Sequence, residues 1–239
     1  MPFNHQVIFN VLAKDLKNAQ ELVDVAGDRV LVGVMVKDFP AEEAAIELIK
    51  ELKDNDVLVS VGLGAGDPAM WKKVANVAVE TQPDHINQVF PAAGYTLGRM
   101  EQSTDVVPVV NSLIEPTGIP GQVYISTGLA SSAYRERVSC SLAATMMVEL
   151  GITSLKFYPI EGLKRLDEVV EMTKAAVKAG IKIIEPTGGI TLENVHAIVQ
   201  TCLDNGAEMV IPHLYTSLID GETGETKPSA VKQLIEMKW

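Results

Sequence analysis

Two short segments hold the residues best suited to chemistry. The first is Ser154-Leu155-Lys156-Phe157-Tyr158-Pro159. Side chains alternate between the two faces of a strand. If Leu155 and Phe157 meet covering helices, then Ser154, Lys156 and Tyr158 share the opposite face. A lysine inside a folded domain is costly to keep charged. Desolvation lowers its pKa, and the neutral amine attacks carbonyl carbons. The alternative is a structural ion pair with an interior carboxylate. The second segment is Ile183-Ile184-Glu185-Pro186-Thr187-Gly188-Gly189-Ile190-Thr191. Here a buried strand ends in Thr-Gly-Gly just before a helix. Glycines let the backbone approach a ligand, and a helix start favours an anion. A tight strand-to-helix turn asks for the same glycines. By alternation Glu185 and Thr187 share a face. Glu185 is then placed as an acid/base or as the counter-charge to Lys156.

Such residues need elements to position them. Short β-branched runs predict strands at Gln6–Leu12, Arg29–Val36, Val57–Val61, His85–Phe90, Gln122–Ser126, Thr153–Tyr158, Lys182–Glu185 and Glu208–Ile211. Segments of helical spacing lie between most of them: Asp15–Ala26, Ala41–Lys53, Pro68–Thr81, Ala133–Leu150, Leu163–Ala179 and Leu192–Asn205, with Pro228–Met237 last. Eight strands alternating with helices allow an open doubly wound sheet or a closed barrel, and eight is the number that closes a barrel. No Gly/Ser/Pro-rich linker divides the chain, so residues 1–239 read as one (β/α)8 TIM-barrel domain. The repeat is disturbed at Val106–Ile114 and Gln122–Ile125, which flank Pro116, Gly118, Pro120 and Gly121. A β-hairpin inserted near the fifth strand is the simplest reading.

Composition agrees with this scaffold. The chain has 239 residues, 47% of them hydrophobic but only 5% aromatic. An apolar set of mainly Val, Ile, Leu and Ala suits parallel strands under helices. A formal charge of −11 argues against nucleic-acid or anionic-membrane surfaces as partners. The two cysteines, Cys140 and Cys202, form no CxxC or Cys/His pattern, so no disulfide framework and no zinc are expected. The start, Met1-Pro2-Phe3-Asn4-His5, lacks a signal-peptide pattern. No apolar run nears the ~20 residues that span a bilayer. The expected location is the cytoplasm.

Together the two segments resemble the class I aldolases for 2-keto-3-deoxy-6-phosphogluconate and 4-hydroxy-2-oxoglutarate. Those barrels carry a Schiff-base lysine on the sixth strand in a Lys-Phe-Phe-Pro setting. Their seventh strand ends in Pro-Thr-Gly-Gly-Ile. The longer chain, Ser126-Thr127-Gly128 and the expected hairpin are closer to a divergent branch, the 2-dehydro-3-deoxyphosphogluconate aldolases of amino-sugar-acid catabolism. The resemblance implies that Lys156 forms the imine and that Thr187 contacts the pyruvyl part. It implies that Gly188 and Gly189 offer backbone N–H groups to substrate oxygens. Lys37 falls near an arginine that holds the substrate's anionic end in those relatives, or it is a solvated loop lysine.

Two departures stand out. The relatives carry a general acid/base glutamate on the second strand, whereas Val30-Leu31-Val32-Gly33-Val34-Met35-Val36 has no carboxylate. Their eighth strand ends in Gly-Gly-Ser, whereas this one reads Ile211-Pro212-His213-Leu214. Glu185 is therefore the first candidate for the proton-transfer role and His213 the second. His5 and His85, near strand starts, and His196, in a helix, carry no expectation of catalysis. Gly62-Leu63-Gly64-Ala65-Gly66-Asp67 follows the third strand, and Gly64 is expected to admit a ligand anion. The segment lacks a dinucleotide or Walker pattern. Thr127, with Ser126, Ser131 and Ser132, supplies hydroxyls after the fifth strand, followed by Arg135 and Arg137.

The expected activity is carbon–carbon lysis of a small 2-keto-3-deoxy sugar acid, here 2-dehydro-3-deoxy-6-phosphogluconate, to pyruvate and D-glyceraldehyde 3-phosphate. Lys156 is the nucleophile, and no metal or other cofactor is expected. Barrels of this kind usually associate, so a homo-oligomer is expected. A phosphosugar isomerase using Glu185 and His213, and a binding protein without turnover, are the alternatives.

Overall fold

The computed structural model describes residues 3–239. Among these described residues, ten strands and eight α-helices alternate along most of the length. The strands are β1 (Phe9–Leu12), β2 (Val30–Met35), β3 (Val59–Gly62), β4 (His85–Ile86), β5 (Val109–Pro116), β6 (Gln122–Tyr124), β7 (Val138–Ser139), β8 (Ser154–Phe157), β9 (Ile183–Pro186) and β10 (Met209–Val210). The helices are α1 (Leu16–Ala26), α2 (Glu42–Asp54), α3 (Trp71–Thr81), α4 (Phe90–Ser103), α5 (Cys140–Glu149), α6 (Leu166–Ala179), α7 (Val195–Asp204) and α8 (Pro228–Glu236).

Eight strands run parallel in the order β1-β2-β3-β4-β5-β8-β9-β10. The sheet curls until its first and last strands approach. Parallel bridges join Val7 to Val210 and Asn10 to His213. The Ile8 N–H donates to Val210 O at 3.2 Å and the Asn10 N–H to Pro212 O at 3.1 Å. β6 lies off this path. It pairs antiparallel with the end of β5, Glu115 opposite Tyr124, and with β7, Val123 opposite Val138.

The fifth parallel strand is thus Val109–Pro116, and the expected Gln122–Ser126 strand belongs to the antiparallel ribbon. Pairing decides this: β5 hydrogen-bonds β4 on one side and β8 on the other, while Gln122–Tyr124 pairs antiparallel with the end of β5 and with β7. The helix expected at Ala133–Leu150 starts only at Cys140, where the Ser139 hydroxyl accepts the Leu142 N–H at 3.1 Å. Helix α4 escaped the pattern. It contains Gly94, Gly98 and Pro91 and carries a weak apolar stripe, so periodicity alone does not reveal it.

Alternation along the strands sorts side chains into two cores. Outward residues such as Phe9, Val11, Val32, Val61, Leu155 and Phe157 pack under the helices. On the concave face, Phe3, Ile8, Leu31, Val109, Ile183, Met209 and Ile211 form a smaller apolar floor. Above that floor the inward positions turn polar: Asn10, Ser60, His85, Asn111, Ser154 and Glu185 are all wholly buried. A buried polar layer is tolerated when its members satisfy one another. Elsewhere, Glu168 of α6 accepts the N–H groups of Thr117 at 2.8 Å and Gly118 at 2.9 Å, tying the turn after β5 to that helix.

Candidate active site

The segments after β2, β3, β8, β9 and β10 surround a cavity of about 660 Å³. Its walls include Lys37, Gly64, Lys156, Tyr158, Thr187, Gly188, Gly189, His213 and Tyr215. This is the end of a parallel α/β sheet at which ligands bind.

Lys156 rises from β8 toward this cavity. Its Nζ lies 2.9 Å from Asn87 Oδ1 and 3.3 Å from His213 Nδ1. Burial pushes the ammonium down to about 8, although the Glu185 carboxylate pulls it back up. A sizeable share of the amine is therefore neutral near physiological pH.

Glu185 lies beneath. Its Oε1 accepts from His85 Nε2 at 2.9 Å and from the Ser154 hydroxyl. Its Oε2 accepts from Asn111 Nδ2 at 2.7 Å and His213 Nε2 at 2.8 Å. A carboxylate has about four lone-pair sites, and all four are occupied. Burial alone would raise this carboxyl, but His85 and His213, with the hydrogen bonds they donate, hold it well below the usual range.

These contacts set the tautomers. With Nε2–H given to Glu185, His213 presents a lone pair on Nδ1, toward Lys156 and toward the Tyr215 hydroxyl at 3.0 Å. Burial, and then the Lys156 charge, bring this imidazole down to about 3 despite Glu185. His85 donates from Nε2 in the same way. Its Nδ1 then accepts from the Ser60 hydroxyl at 2.8 Å, and that oxygen accepts from Asn10 Nδ2 at 2.8 Å and Asn87 Nδ2 at 3.0 Å. Asn111 Nδ2 also donates to Asn87 Oδ1 at 2.9 Å. The network is complete from Asn10 to Lys156.

Of the residues singled out in the sequence, Lys156, Thr187, Gly188, Gly189, His213, Lys37 and Gly64 all line the cavity. Glu185 does not line it but lies below and holds His213. Thr127 is not brought in. Its hydroxyl accepts the Phe90 N–H at 2.8 Å and donates to Leu113 O at 3.1 Å, fixing the start of α4. Lys37 sits at the mouth, half exposed, paired with Asp67 at 2.8 Å. Arg135 stands outside, over the Tyr124 ring and paired with Glu115. His85, a strand-start histidine of which no catalysis is expected, is a direct partner of Glu185. Asn10, Ser60, Asn87, Asn111 and Tyr215 were missed. For Asn10 and Ser60 the signal was available, since each is a polar residue in a run of otherwise apolar ones; Asn87 and Asn111 stand beside the polar Gln88 and Ser112. Among the described residues, no group of three or more His, Cys, Asp and Glu is arranged to hold a metal ion.

The glycine turn after β9 is shaped by its neighbours. Gly188 and Gly189 have φ of 102° and 70°. A Cβ on Gly189 would lie 2.7 Å from the Gly162 nitrogen. Gly189→Ala should therefore lower stability by about 2–4 kcal/mol, because a left-handed backbone and a backbone clash add. Urea unfolding measures this; a loss under about 0.5 kcal/mol would show that the turn can shift freely.

Residues 3–222 match the family described as KDGP aldolase. The chain belongs to that family. It is therefore an aldolase, a carbon–carbon lyase. A Salmonella typhimurium relative, 2-dehydro-3-deoxy-phosphogluconate aldolase, is 40% identical over 236 residues, covering 98% of this chain and 96% of its own. Among solved structures, the KGPDC of Streptococcus mutans aligns at TM-score 0.58 and 15% identity, over 96% of this aldolase and 95% of that chain. The thiamine phosphate pyrophosphorylase of Pyrococcus furiosus aligns at 0.58 and 11%, over 96% and 93%. At such identities these two likenesses bear on the fold alone. Among the described residues, no helix of this family member is long and apolar enough to cross a membrane.

Proposed function

We propose that this chain is a class I aldolase, with Lys156 as the imine-forming nucleophile. Its substrate is 2-dehydro-3-deoxy-6-phosphogluconate and its products are pyruvate and D-glyceraldehyde 3-phosphate. The observation that carries the reading is a lysine with a depressed pKa, facing a cavity and set against a histidine lone pair. The reading takes the curled sheet as a closed (β/α)8 barrel in one domain, with the β6–β7 ribbon as an insertion beside the fifth parallel strand. The bonds between the β1 and β10 regions support it. The substrate follows that of the Salmonella typhimurium relative, a 2-dehydro-3-deoxy-phosphogluconate aldolase. A cavity of about 660 Å³ suits a six-carbon acid phosphate.

In this mechanism neutral Lys156 attacks the C2 keto carbon. Loss of water leaves an iminium that draws electrons from the C3–C4 bond. Thr187 contacts the pyruvyl end. The Gly188 and Gly189 N–H groups hold substrate oxygens, and Lys37 leaves Asp67 to meet an anionic end at the mouth. Glu185 is a positioning residue, because its four acceptor sites are filled and its proton affinity is low. His213 Nδ1 is the adjacent proton acceptor. Association into a homo-oligomer and a cytoplasmic location remain part of the proposal.

Incubation with pyruvate and sodium borohydride tests the nucleophile. One reduced pyruvyl group on the Lys156 peptide is the expected mass-spectrometric result; a folded protein with no adduct overturns the reading. The rate of trapping should rise with pH and level off above about 8, since the protonated amine below that value cannot attack. A rate flat from pH 6 to 9 would contradict a lysine depressed by burial.

A further inference from the structure

Tyr215 is the side chain the mechanism has not used. It lines the cavity. Its hydroxyl lies 3.0 Å from His213 Nδ1 and 3.4 Å from Asn10 Oδ1. The Lys156 amine competes for the same Nδ1 lone pair at 3.3 Å. Once the amine becomes an iminium it keeps one N–H at most, and the phenol takes the lone pair. We propose that Tyr215 is a catalytic residue, the group that exchanges protons with the substrate, relaying them to His213 Nδ1 while Glu185 holds Nε2. This rests on the Lys156 imine reading.

As C3–C4 breaks, the C4 hydroxyl proton passes to the Tyr215 oxygen, and the phenol's own proton passes to His213 Nδ1. The C3–C4 electron pair enters the iminium and gives a neutral enamine; C4 leaves as the aldehyde. The imidazolium then returns its proton to the phenol oxygen as the phenol proton is delivered to enamine C3. Water hydrolyses the resulting iminium, freeing pyruvate and Lys156.

Geometry supports this route over the alternatives. C4 lies three bonds from Nζ, and both Nζ and the phenol touch one nitrogen, so the phenol stands beside the reacting carbons. The other titratable groups lining the cavity are Lys37, Asp38 and Tyr158. Lys37 sits at the mouth in a pair with Asp67, Asp38 is exposed, and among the described residues no base is hydrogen-bonded to the Tyr158 hydroxyl. Burial, and then the Glu185 charge, hold the Tyr215 phenol well above its ordinary range. It therefore works as a relay and not as a resting phenolate. The Lys156 charge that disfavours imidazolium disappears in the same step that forms it, because the iminium becomes an enamine.

The test separates imine formation from proton transfer. Tyr215→Phe should still be trapped by pyruvate and borohydride within about threefold of the parent. Its aldol cleavage, and the exchange of pyruvate methyl protons in D2O, should both fall on the order of 10²–10³-fold. Cleavage and exchange within tenfold of the parent, with trapping intact, would overturn the assignment. Loss of trapping together with exchange would also overturn it, by showing that the phenol shapes the site instead of carrying protons. A parent protein that is not trapped at all sinks the imine reading itself, which the other two outcomes leave standing.

Discussion

Lys156→Met is expected to abolish cleavage, with kcat/KM falling at least about 10⁴-fold, while the protein stays folded. A covalent nucleophile has no substitute, and what remains is catalysis by binding and orientation alone. Methionine keeps the length of the side chain and removes only the amine. The loss to stability should be small. A buried ammonium gains little net energy when its desolvation offsets its attraction to Glu185. Asn87 Oδ1 keeps its bond from Asn111. The variant should still bind substrate, because Thr187, Gly188, Gly189 and Lys37 are untouched. Steady-state kinetics, borohydride trapping and a thermal melt check the three parts. Cleavage within tenfold of the parent would remove Lys156 from the covalent role.

Glu185→Gln should damage both activity and stability. The carboxylate receives four donors: His85, Ser154, Asn111 and His213. An amide keeps one oxygen for two of these partners and sets two donors of its own against the other two. The cost is about 3 kcal/mol, typical of breaking a buried charged network. His213 then loses the partner that fixes its tautomer, so Nδ1 no longer presents a lone pair to Lys156. Cleavage should drop on the order of 10²–10³-fold. The acid limb of stability should change as well. In the parent the folded carboxyl lies below its unfolded value of about 4.3. Its contribution is complete above that pH and is lost as pH falls toward the folded value. Glutamine at this position removes that dependence. Urea denaturation between pH 3 and 7, with kinetics at neutral pH, measures both effects. Unchanged kcat would mean that the network below Lys156 is only structural.

Much of this arrangement was legible one strand at a time. The alternation in Ser154–Tyr158 placed Lys156 inward, because Leu155 and Phe157 pack under the helices. The same rule put Glu185 and Thr187 on one face. The fifth strand was misread because Val106–Ile114 and Gln122–Ile125 both read as extended runs, and pairing with β4 and β8 is what separates them. The partner of His85 was not legible for a related reason. One strand shows that a residue points inward, but not what meets it across the sheet, 100 residues away.

The sequence by itself determined the alternating elements, the inward lysine and the glycine turn. Each depends on contacts within a few residues, where backbone period and sterics decide. It did not determine what Lys156 and Glu185 would be. Only the tertiary structure surrounds Glu185 with four donors, which is what favours the proposed positioning role. Only it turns the His213 lone pair toward Lys156 and Tyr215. Protonation states follow from burial and from partners brought together across the curled sheet, and such long-range neighbours leave no mark in local spacing.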